Sequence, residues 1–323
     1  MTEVADQIAK AMQKKHKEGY YQGTAPPLKR ERSGIPGLDY IMGGGLPKGR
    51  VVEVYSETSM GKTSIACAIA QSFLQRGQNV VFEDMERTTD QQRLTELELE
   101  GQNNFHYARP DDGANALEGI EVGAVNGAAL GIVDSVPFLL TEDDMETELD
   151  KHNMSPQARL LSRYQPRIVP LLEQNDATLL FINQLRASIG GNPWQNYHSS
   201  GGKALEFLTS IKIYLSSAGK LDDGSGVTIK FRTEKNKTHP PRQICLADLK
   251  YEEGLDPITS MRYILKDLDL LENSGSNYFF CDALAEHLGV SEKKIANGKA
   301  KVDAFFRNNP ELYEAVYSYL LSL

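Results

Sequence analysis

The sequence predicts an α/β fold with a mostly parallel central sheet, an N-terminal helical arm and a small α-rich C-terminal domain. Three observations predict it. Short, near-continuous apolar runs at Val51–Tyr55, Val80–Phe82, Ala128–Val133 and Ala177–Ile182 read as strands buried on both faces. Helical periods fall between them, at Thr63–Leu74 and Ala158–Leu172, so the strands are joined as βαβ units. Three later runs, Ile211–Leu215, Val227–Phe231 and Gln243–Leu249, follow one another without long helices, so the sheet is expected to end in an antiparallel extension. With 323 residues, 40% of them hydrophobic, the chain has material for about two domains and a sizeable core.

In chain order, residues 3–17 come first. Val4, Ile8 and Met12, with Ala5 and Ala11, share one helical face, and Gln22–Pro27 then breaks the helix. A narrow apolar stripe with no adjoining core suits an arm that docks elsewhere, although a frayed tail would carry the same pattern. Residues 1–33 are therefore expected to form an arm and linker, 34–257 the sheet-bearing core, and 258–323 the C-terminal domain. The last boundary rests on a shift after Pro257 to short helices and turns, with Asn273–Ser276 as a break.

Charge and cysteine usage narrow the class. The 35 Lys and Arg stand against 44 Asp and Glu, a formal net charge of −9, which excludes a uniformly basic nucleic-acid coat. Cys67, Cys245 and Cys281 are far apart and form no CxxC pair, which argues against a disulfide framework or a zinc site. The N-terminus lacks the apolar region of a signal peptide, and no stretch approaches the ~18 apolar residues of a membrane span. A cytoplasmic protein with no membrane partner is expected. The acids are concentrated: residues 83–100 carry seven acids against two bases, and 141–150 carry six acids and no base. Residues 228–242 and 293–307 each carry five bases against one acid. An acidic average therefore leaves DNA binding open, with a steep salt dependence.

The strongest chemical signal is Ser56-Glu57-Thr58-Ser59-Met60-Gly61-Lys62-Thr63, followed by Ser64, directly after a strand and opening a helix. In that context backbone amides and the helix N-terminus hold a polyphosphate, Lys62 neutralises its terminal oxygens, and the Thr63 hydroxyl binds Mg²⁺. ATP and Mg²⁺ are the expected ligands. The motif wants glycine at its first position, and Ser56 would be strained there if the position needs φ > 0. A P-loop also needs an acid near the metal, which the apolar run ending in Asp134 supplies. Hydrolysis needs a group to polarise water, and Glu86, after the strand Val80–Phe82, is the best placed; a solvated loop acid is the bland alternative.

Taken in order, the motifs resemble the bacterial RecA family of recombinases. Gly34-Ile35-Pro36-Gly37-Leu38-Asp39 and Gly43-Gly44-Gly45-Leu46-Pro47-Lys48-Gly49-Arg50 resemble the family's approach to its first strand. Phe82-Glu83-Asp84-Met85-Glu86 is similar to the strand ending in the catalytic Glu, and Val133-Asp134-Ser135-Val136 to the Walker B strand. Phe181-Ile182-Asn183-Gln184-Leu185-Arg186 resembles the strand whose terminal Gln senses the γ-phosphate. Gly201-Gly202-Lys203-Ala204-Leu205-Glu206-Phe207 resembles the end of the second DNA-binding loop, and Lys235-Asn236-Lys237 the lysine pair that reaches a neighbouring subunit's ATP. Ile295-Ala296-Asn297-Gly298-Lys299-Ala300 and Asn308-Asn309-Pro310-Glu311 resemble the C-terminal domain. The resemblance covers nearly the whole chain. It implies a P-loop RecA-like ATPase core, with Glu86, Lys62, Gln184, Lys235 and Lys237 as its catalytic set. Asp90 falls where the family has an acid near the adenine amino group, and Arg93 where a Tyr commonly stacks on adenine. With Ser56-Glu57-Thr58 in place of Gly-Pro-Glu, these departures suggest a divergent member of the kind phages encode.

The same resemblance implies two DNA-facing loops. Residues 147–154 precede the helix carrying Arg159 and Arg163, and residues 186–201 hold Arg186, Ile189, Gly190, Gly191 and Trp194, closing on Gly201 and Gly202. Glycines permit rearrangement, amides and Arg186 meet phosphates, and Ile189 or Trp194 is placed to wedge between bases; ordinary packing is the alternative for Trp194. The expected partners are single-stranded DNA, double-stranded DNA and further copies of the chain in a helical filament. The expected function is ATP-dependent homologous recombination, by filament formation on single-stranded DNA and strand exchange with duplex. A RecA-like ATP-binding assembly or regulatory module with little hydrolysis, or a ring-forming DNA motor, is the alternative.

Overall fold

The computed structural model describes residues 3–142, 144, 155–187 and 197–323. After α1 (Glu3–His16), the two-residue strands β1 (Arg30–Glu31) and β2 (Leu46–Pro47) pair around α2 (Pro36–Met42). The core then alternates as the apolar runs predict: β3 (Val51–Ser56), α3 (Lys62–Gln75), β4 (Asn79–Asp84), α4 (Gln91–Glu96), β5 (Phe105–Ala108), α5 (Gly113–Val125) and β6 (Ala128–Asp134). It continues with α6 (Pro156–Gln174), β7 (Thr178–Ala187), β8 (Tyr197–Ser199), α7 (Gly202–Leu208), β9 (Ile211–Lys220), β10 (Gly226–Asn236), β11 (Ile244–Lys250) and β12 (Gly254–Asp256).

In space the sheet runs β12-β11-β10-β9-β3-β7-β6-β4-β5, with β8 hanging on β7. From β9 to β5 every neighbour is parallel, whereas β9 to β12 are antiparallel. The expected extension is therefore present, because strands joined without helices can only turn back. The period of two explains why the parallel strands read as unbroken apolar runs. Val52, Val54, Phe82, Ile132, Leu180 and Ile182 face one layer, with α3. Val51, Val81, Val133, Leu179 and Phe181 face the other, with α5 and α6.

A third apolar cluster, from Met261 to Leu320, lies in the C-terminal segment. Four helices build it: α8 (Pro257–Asp267), α9 (Asp282–Leu288), α10 (Lys299–Asn308) and α11 (Pro310–Leu320). The short helices match expectation, but a small antiparallel sheet does not. Its strands are β13 (Leu271–Ser274), β14 (Asn277–Phe280) and β15 (Lys294–Asn297), and the expected break at Asn273–Ser276 is the hairpin between the first two. Glu272, Asn273 and Ser274 are exposed, so β13 carries no apolar alternation to announce it. Asp39 joins this segment to the core. It is wholly buried, accepts two hydrogen bonds from the Ser33 amide and accepts one from the Tyr317 hydroxyl on α11.

α1 stands apart. Val4, Ile8 and Met12 are 63%, 57% and 38% exposed, so its apolar face touches little of its own chain. Among the described residues no helix is long and apolar enough to cross a membrane.

Candidate nucleotide-binding site

Register gathers the site at the carboxyl ends of the parallel strands. Ser56 at the end of β3 pairs with Gln184 on β7, and Asp84 at the end of β4 pairs with Asp134 at the end of β6. This edge is where open parallel sheets bind ligands. A cavity of about 340 Å³ opens there, lined by Thr58 to Thr63, Glu86, Thr88, Asp134 and Gln184. All of these but Thr88 are residues that the sequence singles out.

The loop between β3 and α3 does its turning at Ser59 (φ 60°) and Gly61 (φ 76°). Gly61 is doubly constrained, since a Cβ there would also lie 2.2 Å from Leu249 Cδ2. Ser56, by contrast, is the last residue of β3 and is absent from the left-handed region. The strain considered for Ser56 therefore does not arise. Its hydroxyl instead accepts a 3.1 Å hydrogen bond from Lys62 Nζ, which also donates to the Glu57 carbonyl at 2.8 Å. Lys62 is 7% exposed, and burial lowers its pKa, opposed by Asp134 and Glu86. An ammonium so placed, beside the N-terminus of the 14-residue α3, favours an anionic guest.

Asp134 is 1% exposed and accepts a 2.6 Å hydrogen bond from the Thr63 hydroxyl on one oxygen. Among the described residues its other oxygen, Oδ1, has no partner. Burial, with Glu86 and Asp84 adding to it, raises its pKa to about 7. Folding therefore favours the protonated acid. That contribution is complete below the unfolded value of ~3.9 and is lost as pH rises through about 7. A buried, half-satisfied carboxylate beside a hydroxyl is a fitting pair of oxygens for a hard divalent cation. Among the described residues no cluster of three acidic, His or Cys side chains surrounds it, so a cation there would draw its remaining ligands from phosphate and water.

Glu86 sits across the cavity. Its amide donates to the Asp134 carbonyl at 3.0 Å, and its carboxylate accepts long contacts from Ser135 Oγ at 3.4 Å and from Gln184 Nε2 at 3.4 and 3.5 Å. Asp84, which sequence reasoning passed over, sets this position. It is buried and accepts hydrogen bonds from the Arg87 and Thr89 amides and the Tyr107 hydroxyl, which fixes the turn that carries Glu86. Asn183 is a second omission. Its side-chain amide donates to buried Glu53 and to the Ser200 carbonyl, and its oxygen accepts from the Gln184 amide. Its apolar neighbours in the run gave no sign of this.

A smaller recess of about 190 Å³ adjoins the loop, lined in part by Ser64, Arg93, Leu249 and Tyr251. Arg93 donates to Ser64 Oγ and to the Tyr251 and Glu252 carbonyls and pairs with Glu96, so its guanidinium is held at the recess by hydrogen bonds. Asp90 caps α4 by accepting from the Arg93 amide.

The remaining candidates lie apart from the cavity. Lys235 and Lys237 do converge: their ammonium groups donate to the Glu206 and Phe207 carbonyls near the C-terminal end of α7. Neither lines the cavity that holds Lys62. Gly201 (φ 89°) and Gly202 (φ 53°) open α7, and a Cβ on Gly201 would lie 2.9 Å from Leu205 Cβ. Arg159 on α6 forms an ion pair with Asp144. For Arg186 only the backbone is described, paired with β8. Ile189, Gly190, Gly191, Trp194 and residues 147–154, apart from the backbone frame around them, lie outside the described residues. In the basic stretch 293–307, Lys293 pairs with Asp282 and Arg307 with Asp256, while its one acid, Asp303, turns inward to Arg262.

Residues 4–256 match the family model for the RecA N-terminal domain. The chain is 31% identical over 293 residues to protein RecA of Aquifex aeolicus, covering 88% of this chain and 81% of that protein. It is 30% identical over 298 residues to protein RecA of Thermus aquaticus, with 90% and 84% covered, and 28% identical over 305 residues to that of Malacoplasma penetrans, with 93% and 89% covered.

Proposed function

Because the chain belongs to the RecA family, we propose that it is an ATP-dependent recombinase that forms filaments on single-stranded DNA and exchanges strands with a homologous duplex. One observation carries the reading. Loop, cation-site acid, candidate base and sensor line a single cavity, although they come from four different strands or the turns after them.

The roles follow from the chemistry of each group. Lys62 leaves the Ser56 hydroxyl and the Glu57 carbonyl to meet the β- and γ-phosphate oxygens of ATP. Thr63 and Asp134 would hold Mg²⁺, which when bound neutralises charge on the phosphates. Glu86 accepts a proton from the attacking water. Gln184 touches Glu86 and begins the strand end that leads to residues 188–196, so its hydrogen bond can couple nucleotide state to that loop. Ser64 and Arg93 border the recess for the base, and Asp90 caps the helix that carries Arg93. Lys235 and Lys237 serve a neighbouring subunit's nucleotide, a role favoured by their distance from the chain's own Lys62 cavity. DNA is met by Arg159, Arg186, Gly201 and Gly202 together with Ile189, Gly190, Gly191 and Trp194, and the arm at 1–33, core at 34–257 and C-terminal domain at 258–323 divide the work. The separate apolar cluster from Met261 to Leu320 supports the last division.

The alternative of an assembly with little hydrolysis loses its premise, since Ser56 carries no left-handed strain. Turnover distinguishes the two. ATP hydrolysis in Mg²⁺ at low salt should rise severalfold when single-stranded DNA is added, and a rate indifferent to DNA would count against recombination.

A further inference from the structure

Glu86 is aimed by its backbone. Its amide donates a 3.0 Å hydrogen bond to the Asp134 carbonyl, whereas its carboxylate, among the described residues, makes only the long contacts of 3.4 and 3.5 Å to Ser135 and Gln184. The direction of the side chain therefore depends on the turn from Asp84 to Thr89. That turn does not hold itself. Arg87 lies at φ 56°, a left-handed conformation that is costly for a residue with a Cβ. Arg87 and Thr88 are both exposed, so packing restrains them little.

The restraint comes from β5 and the residues just after it. The Tyr107 hydroxyl donates to buried Asp84 at 2.6 Å, with the Thr89 carbonyl a second acceptor 3.1 Å away. Arg109 donates from Nε to the Tyr107 oxygen at 3.0 Å and from its other end to the Thr89 carbonyl. Its guanidinium also lies over the Tyr107 ring, 5.7 Å from the centroid. A hydroxyl that accepts from a cation donates more strongly in turn. Burial and the Asp84 hydrogen bond push the Tyr107 hydroxyl up to about 12, so it stays a donor at neutral pH. The ring itself is fixed by stacking on buried Phe82 at 5.9 Å. A further bond, from the Arg87 guanidinium to the Pro110 carbonyl at 3.2 Å, fastens the middle of the turn to the same side. Asp84 and Thr89 are thus clamped together, and Glu86 and Thr88, which line the cavity, lie between them.

We propose that Tyr107 and Arg109 are positioning residues, which hold Glu86 in line with the attacking water by bracing both ends of its turn. The proposal rests on the reading of Glu86 as the base. Neither residue lines the Lys62 cavity, so neither touches the nucleotide there. Their contribution falls on the chemical step and leaves binding of the phosphates alone.

Steady-state ATP hydrolysis by the full-length protein with single-stranded DNA tests this. Tyr107→Phe keeps the ring and removes only the hydroxyl, so kcat should fall about tenfold to a hundredfold, the usual consequence of a small misplacement, while KM for ATP stays within about twofold. Arg109→Ala, at an exposed position, should lower kcat severalfold with the same constancy of KM. In a Glu86→Gln background Tyr107→Phe should cause no further loss, because the group it positions is gone. Unchanged kcat in both single variants, parallel loss of kcat and affinity, or an equal further loss in the Glu86→Gln background would each overturn the brace. Should thermal melts show that Tyr107→Phe disturbs the fold, Arg109→Ala alone and in the Glu86→Gln background decides by the same criteria. Failure of the underlying reading looks different: Glu86→Gln would then hydrolyse ATP at the wild-type rate, whereas failure of the brace alone leaves Glu86→Gln inactive and Tyr107→Phe normal.

Discussion

Lys62→Ala abolishes useful nucleotide binding. Lys62 is the one cation among the described residues lining the 340 Å³ cavity, and two acids, Asp134 and Glu86, line it too. Alanine leaves a triphosphate facing two carboxylates with only amides and hydroxyls to offset them. Each charge-assisted hydrogen bond to phosphate contributes about 1.5–3 kcal/mol, so loss of two weakens binding by roughly 10²–10⁴-fold. The fold should tolerate the change, since burial already disfavours the charged amine and its partners, Ser56 Oγ and the Glu57 carbonyl, can bond to water in the open cavity. Titration calorimetry with Mg²⁺ and a slowly hydrolysed ATP analogue measures it. Affinity within a few-fold of wild type would show that the loop amides alone hold the phosphates.

Glu86→Gln separates binding from chemistry. Glutamine has the same shape and can keep the contacts to Ser135 and Gln184, but it cannot take a proton from water. Turnover should fall by about 10²–10⁴, the usual contribution of a general base, while nucleotide affinity and assembly stay near wild type. Persistent turnover would move the role elsewhere. Asp84 is a poor substitute, because three donors already occupy its carboxylate. Equal loss of affinity and rate would make Glu86 a structural residue of the cavity.

The parallel core was legible because its strands are buried on both faces, so β3, β6 and β7 stand out as apolar runs bounded by turns. β5 and β13 were not. Each is a four-residue strand with much of its length at the surface, and Phe105-His106-Tyr107-Ala108 has nothing in its composition to mark a sheet edge. At the site, residues defined by a local motif were readable: Ser56 to Thr63 and Asp134 each sit at a strand end with a recognisable context. Asp84, Asn183 and Thr88 were passed over because their work depends on register. Asp84 reaches Arg87, Thr89 and Tyr107, and Asn183 ties Gln184 to Glu53 and Ser200, contacts that only the folded sheet brings together. The doubt over Ser56 failed for the same reason. Whether a position needs φ > 0 is settled by where the strand ends, and the turn falls three residues later, at Ser59.

Glu83 shows the complementary case. It stands next to Asp84 in the same acidic run, yet the pleat sends it to the other face, away from the nucleotide and into a groove beside α5.

The central claim is that nucleotide and single-stranded DNA together assemble this chain into an open helix. Electron microscopy of the wild-type protein with single-stranded DNA, Mg²⁺ and a slowly hydrolysed ATP analogue tests it most directly. Open helical filaments that follow the DNA and vanish in Lys62→Ala are the expected result; closed rings, or particles that stay unassembled on DNA, would contradict it.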